Sequence, residues 1–302
     1  MQSIYAYNQT KKDSISVEEK FLNKSILEMY DLFILNLDLI VQVKNQAKNY
    51  YELAQKKHLA TQEDKKPNLK FVQNKLIKQL EESEELQQLI EDRKLRNWKN
   101  DTEVPRNIWD QLKESTVYKS YLNEDFSSYK EDKDFVIQFF KKVVAPNPSL
   151  YEYYEDHKLT WLDDFPIVNT SLVKFLKHLK DDEELINPPK LFKNFEDKNF
   201  ANELFKKTVL NYNELLGDTD GKTPGWEKDR IAEIDQILIC MALAEFKNFP
   251  SIPVKVSINE YLEIAKEYST PKSSFFINGV LDKMAKEYKE NGKLNKIGRG
   301  LM

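Results

Sequence analysis

Lys272, Ser273 and Ser274, followed at once by Phe275 and Phe276, are the residues whose types and spacing point most directly to chemistry, and that chemistry is recognition rather than catalysis. Thr270 and Pro271 predict an N-cap and first-turn proline. The three residues after them then lie where free amides and the positive end of a helix dipole favour an anion such as a phosphate. An aromatic ring at the rim of such a pocket can stack an unpaired base, a contact worth about 1–3 kcal/mol. A blander reading stays open, because Phe276 stands four residues before Val280 and reads equally as core, and Lys272 reads equally as a solvated lysine. Downstream, Lys283, Lys286, Lys289, Lys293, Lys296 and Arg299 make a basic end, either a backbone-tracking tail or an ordinary loose terminus.

Catalytic constellations do not emerge. His58, His157 and His178 are isolated, with neither HExxH nor Cys-His spacing, so no metal is expected. Asp163-Asp164 and Asp181-Asp182 place adjacent carboxylates on diverging directions of a helix, and no serine or cysteine has a visible base. Of the 7 glycines none precedes Gly217, which removes phosphate-cradling loops from the first two thirds, and the later ones make neither GxGxxG nor GxxxxGK[ST]. A non-enzyme without cofactor is the expectation. The lone Cys240 suits a reducing cytoplasm. The apolar run Leu32 to Val41, interrupted by Asn36 and Asp38, is too short to span a bilayer, and the first residues have no signal-peptide pattern.

The elements that must position these residues read as helices. Pro250 and Pro253 forbid a helix before Val254. Ser257 with Glu260 reads as a capping box, and Ile258, Leu262 and Ala265 as the stripe of a helix ending near Tyr268. The following helix carries Phe276, Ile277, Val280, Leu281 and Met284, with Gly279 predicting a close helix approach. Trp226 to Phe246 reads as a further helix with Ile231, Ile234, Leu238 and Met241 inward.

Earlier in the chain, Ser16 and Glu19 read as a capping box opening a long helix that buries Phe21, Leu22, Ile26, Met29, Tyr30, Phe33, Leu37 and Ile40. Gln55 to Lys66 reads as a solvated break ending at Pro67, and Arg106 to Leu122 as one short helix. An echo at an offset of 65 residues pairs Phe140 with Phe205, Leu150 with Leu215 and Trp161 with Trp226, which suggests a duplicated unit or two similar amphipathic helices. The fold class is all-α.

INEYLEIAK (258–266), a small-residue turn and FINGVLDK (276–283) resemble the C-terminal end of the NusB family of transcription antitermination factors. Trp226 to Phe246, with Asp229-Arg230, is similar to the family's preceding helix, and Gln2-Ser3-Ile4-Tyr5-Ala6-Tyr7 resembles its first-helix QALYxW segment. The resemblance implies a NusB-like helical bundle at 196–290, an enlarged helical region at 1–195 with an insertion at about 46–131, and a basic tail at 291–302. It implies a cytoplasmic protein that binds boxA-type RNA of ribosomal RNA operons jointly with NusE, a small-subunit ribosomal protein, and acts indirectly on the RNA polymerase elongation complex. Gln2, Tyr5 and Phe276 are the RNA contacts that the resemblance implies, and Lys272 and Ser273 join them from the anion site read at the helix start. At a net charge of −4, acidic Asp235, Glu245, Glu260 and Glu263 are candidates for the basic partner, although helical acids are usually only solvated.

In this family an arginine-rich segment precedes the first-helix motif, whereas the sequence starts at Met1 inside it. Either the protein extends further upstream or this version lacks the arm, with weaker RNA affinity expected. Two other readings stay open: a scaffold in ribosome assembly, and an RNA-binding module related to those of ribosomal RNA methyltransferases.

Overall fold

Glu18, Glu19, Asn36 and Asp38 break the apolar pattern of the first long helix without ending it, because strong helix formers fill the positions between them. In the computed structural model, which describes residues 1–10, 14–56, 61, 65–123, 127–181, 186–221, 231–294 and 296–301, all regular structure is helical. In chain order the helices are α1 (Gln2–Thr10), α2 (Ile15–Gln55), α3 (Lys75–Glu82), α4 (Glu84–Asp92), α5 (Asn97–Asn100), α6 (Glu103–Glu114), α7 (Thr116–Tyr121) and α8 (Tyr129–Phe139). A π-helical turn, Phe140–Val144, follows α8. Then come α9 (Pro148–His157), α10 (Thr160–His178), α11 (Phe195–Leu210), α12 (Tyr212–Asp218), α13 (Glu233–Asn248), α14 (Val254–Tyr268), α15 (Ser273–Glu290) and a 3₁₀ turn, Gly298–Leu301.

Two compact units divide the chain, Ser25–Leu191 and Met1–Lys24 with Phe192–Met302. The unit that holds the closing helices runs from Phe192 and also takes in the first 24 residues, because α1 packs on α11 and α13.

The unit of Ser25–Leu191 is built around an aromatic cluster in which Phe71 stacks on Trp109 at 5.7 Å and meets Tyr118, Phe135 and Phe139 edge-on. Such contacts add about 0.5–1.5 kcal/mol per pair beyond area burial. Several buried polar groups find partners within the unit: the Trp98 and Trp161 indoles donate to the Leu35 and Glu28 carbonyls at 2.9 and 2.8 Å. Asp132, 1% exposed, accepts from the Lys75 amide at 2.8 Å and the Tyr121 hydroxyl at 2.5 Å.

In the other unit α13 is the central helix. Every residue from Ile237 to Phe246 is buried, and a helix apolar on all sides has no wet face to spare. It packs against α1, α11, α12, α14 and α15.

Several local expectations change. Helix α14 starts at Val254, so Ser257 is inside it and its hydroxyl donates to Glu245 rather than capping with Glu260. Thr270 and Pro271 precede α15 by one turn, Lys272 is the N-cap, and no side chain caps it. Ser16 falls inside α2, and Glu19 pairs with Lys206 at 2.8 Å. Phe21 is exposed rather than buried. Arg106 to Leu122 is two helices, divided where Ser115 caps α7 by accepting from the Tyr118 amide. Gly279 is exposed and an added Cβ would meet nothing within 4 Å, so no helix approaches it. Most of the break at 55–66 lies outside the described residues, as do Trp226, Asp229 and Arg230.

The basic end is docked, not loose. Lys296 donates to the Phe249 carbonyl at 2.9 Å, closing the C-terminus of α13, where a cation also suits the helix dipole. Lys293 lies 3.5 Å from Asp218, and the Ile297 amide donates to the Pro250 carbonyl at 3.0 Å. Gly300 permits this seat, since a Cβ there would sit 1.9 Å from that same carbonyl oxygen.

Candidate nucleic-acid interface

Adjacent residues on an α-helix point about 100° apart, so Phe275 and Phe276 cannot share a face. The stripe Phe276, Ile277, Val280, Leu281, Met284 and Tyr288 is buried against α13 and α14, which takes Phe276 to 9% exposure. Phe275 is turned out at 82% exposure, the largest exposed apolar surface fraction among the described residues. Its neighbours at helical spacing, Gly279, Asp282, Lys283 and Lys286, are all exposed. The ring available to a nucleotide is thus Phe275. Phe276 is core, because it lies in register with Val280 and Met284 while Phe275 lies in register with glycine and charge. That difference was present in the residue pattern, as the i+4 neighbour of Phe275 is Gly279 and that of Phe276 is Val280.

The anion pocket expected at the start of α15 is already supplied with a carboxylate. Asp235, 4% exposed near the start of α13, accepts from Ser269 at 2.6 Å and from Ser273 at 2.7 Å. Ser273 is itself 2% exposed, and its hydroxyl also meets those of Ser269 and Thr270 at 3.0 and 2.8 Å. Its amide donates to the Thr270 carbonyl at 2.9 Å. Ser273 therefore offers neither hydroxyl nor amide to an outside phosphate, whereas Lys272 beside it is exposed. Asp235 is a tie between α13 and the α14–α15 turn, not a surface acid.

Glu245 plays the corresponding part at the other end of α13. It is 6% exposed and accepts from Ser257 at 2.5 Å and Tyr261 at 2.7 Å. Burial, then the adjacent Glu245 carboxylate, holds the Tyr261 hydroxyl well above its ordinary range, so it stays a donor. The remaining acids expected at a partner surface, Glu260 and Glu263, are exposed on α14, with Glu263 paired to Lys266. Gln2 and Tyr5 are exposed on α1 while Ser3 and Ile4 turn inward, the alternation of a half-wet short helix. Asp235 comes together with Ser273, while Gln2 and Tyr5 stand on a separate helix.

No group of three or more histidine, cysteine or acidic side chains that could hold a metal ion occurs among the described residues. Burial pushes the Cys240 thiol up to about 12, so it carries no thiolate chemistry near neutrality. No helix among the described residues is long and apolar enough to cross a membrane.

Comparison with known proteins gives this arrangement a context. The NusB family model matches residues 167–286. The transcription antitermination protein NusB of Salinibacter ruber is 43% identical over 105 residues, 35% of this chain and 66% of that protein. NusB of Chloroherpeton thalassium is 39% identical over 117 residues, 39% of this chain and 56% of its own length. NusB of Agathobacter rectalis is 38% identical over 103 residues, covering 34% of this chain and 75% of that protein. The chain thus spans just under two thirds and just over half of the first two relatives. No solved structure matches it. The match takes in α11, α12, α13, α14 and most of α15, with the Asp235 and Glu245 ties, and the chain belongs to the NusB family.

Proposed function

We propose that this NusB-family chain binds boxA-type RNA of ribosomal RNA operons jointly with NusE, and through that complex helps the elongating polymerase pass terminators. The observation that carries the reading is the outward face of α15, where an 82% exposed phenylalanine shares a helix side with Lys283 and Lys286 and follows Lys272. Gly279, with nothing within 4 Å of where a Cβ would stand, leaves that face bare enough for a base to lie against it. Stacking supplies sequence-tolerant affinity, and the lysines supply the salt-dependent share. Gln2 and Tyr5 on α1 are further contacts in this reading.

Glu260 and Glu263 are the exposed acids offered to a basic ribosomal partner. Asp235 and Glu245 enter only by holding α14 and α15 in place. The protein acts by binding in the cytoplasm, without a reaction of its own. Titration of labelled boxA RNA with the protein and NusE tests this. The expected result is tighter binding of boxA than of a scrambled sequence, and a loss on Phe275→Ala that Phe276→Ala shows only through unfolding. Equal affinity for both RNAs overturns it. NusE binding with no gain from RNA would favour a scaffold instead.

A further inference from the structure

In the unit of Ser25–Leu191, two open depressions of about 420 and 650 Å³ share Lys177 and form one groove along α8, the π-helical turn and α10. Lys130, Lys133, Lys141, Lys174 and Lys177 line it, and among the described residues Asp134 is the one acid in the lining. In a chain of net charge −4 this is a marked local excess of one sign.

The excess has a structural origin. Of the other acids of α8, Asp132 is buried on Tyr121, Ser127 and the Lys75 amide, while Glu131 is exposed and closes the capping box with Ser128 at the helix start. From Asn169 to Lys180 the sequence has no acidic residue at all. Lys133 donates to the Lys177 and Leu179 carbonyls at 3.3 and 2.9 Å, which ties the end of α10 to α8 and fixes the groove wall. Lys141, in the π turn where the Ala145 amide donates to the Phe140 carbonyl at 2.8 Å, follows Lys130 by close to three α-helical turns and so falls on the same side. Three turns amount to a rise of about 16 Å. Asn169, at the groove edge, has a buried side-chain oxygen without a hydrogen-bond partner in the protein.

We infer that this groove is a second RNA-contact surface, which holds the sugar-phosphate backbone of a single strand by charge and reads no base. RNA as the polyanion rests on the function proposed above; the groove and its charge do not. Lysines in a row along a helix pair, without an aromatic side chain exposed between them, suit a repeating phosphate rather than a base. A flanking stretch of transcript held here would add affinity without altering sequence preference.

The test is binding of a 20-nucleotide oligo-uridine to the full chain across a salt series, comparing the parent with the K141Q/K174Q/K177Q triple variant and with K94Q/K99Q/K119Q. The second variant removes the same charge at exposed lysines outside the groove. Three lost phosphate contacts reduce the log–log salt slope by about 2 and weaken binding about a hundredfold at 0.1 M salt, from roughly 0.7 per contact on single strands. The groove variant is expected to show this and the control variant to keep the parent slope. An equal drop in both, or an unchanged slope in the groove variant, overturns the inference. So does polyglutamate displacing the RNA from the groove at lower concentration than oligo-uridine, which would assign it to an acidic protein. The affinity ratio of boxA to scrambled RNA, measured alongside, reports separately on the α15 face and stays unchanged in the groove variant.

Discussion

Replacing Asp235 by alanine separates a structural tie from a partner contact. The carboxylate is 4% exposed and accepts two hydroxyl hydrogen bonds, from Ser269 at 2.6 Å and Ser273 at 2.7 Å. Hydrogen bonds to a charged group contribute about 1.5–3 kcal/mol each, so the two together reach about 3–6 kcal/mol. The lower end applies here, because the orphaned hydroxyls still meet each other and Thr270 at 3.0 and 2.8 Å. A loss of about 3 kcal/mol lowers the melting temperature by roughly 10 °C in a unit of this size. Asp235→Asn, whose amide oxygen still accepts, should lose about half as much. Circular dichroism melts of the two variants, with NusE binding measured below both transitions, make the assay. Binding by the folded variant should match the parent. A melt within a degree of the parent, or an unchanged melt with NusE binding lost, would refute the reasoning and return Asp235 to the partner surface.

Phe276→Ala should cost about 3–5 kcal/mol as a core truncation, measured by urea unfolding, whereas Phe275→Ala should stay within about 0.5 kcal/mol and weaken RNA by about 1–3 kcal/mol. Gly300→Ala drives a Cβ into the Pro250 carbonyl, at 1.9 Å in ideal geometry, and should release the tail. The expected reading is faster hydrogen exchange at the Ile297 amide, which donates to that carbonyl. Asp164 is held at about 7 by burial first and then by Asp163 and Glu28. A carboxyl whose folded value exceeds its unfolded value near 4 binds its proton more tightly in the folded state. It therefore costs stability as pH rises from about 4 through about 7. Asp164→Asn should stabilise the protein at pH 8 and change little at pH 4, and equal melts at pH 8 would contradict the assignment.

Much of the C-terminal unit was legible from residues alone, for identifiable reasons. Pro250 and Pro253 barred a helix before Val254, and α14 begins there. The spacing of Ile277, Val280, Leu281 and Met284 placed the buried stripe of α15, and all four are buried. The candidate site was less legible. Ser257 carried the signature of a cap, yet it serves Glu245 from inside a helix that had begun a turn earlier, because Pro253 can start that helix without any side-chain acceptor. Gly279 suggested a crowded neighbour and has an open one, and glycine is silent about which of the two it serves.

The one-dimensional pattern, by itself, determined that the chain is helical, which stripe of α15 turns inward, and to which family the closing helices belong. Periodicity and proline carry that information locally, within a few turns of backbone. The folded molecule alone decided which charges are spent and which remain. Asp235 and Glu245 look no different in sequence from Glu260 and Glu263, but the first pair meets hydroxyls 12 to 38 residues away and is lost to the surface. Likewise the lysines of α8 and α10 form a groove only because those helices lie side by side. Pairing between distant residues depends on where elements dock, and docking is a property of the whole core rather than of any short stretch.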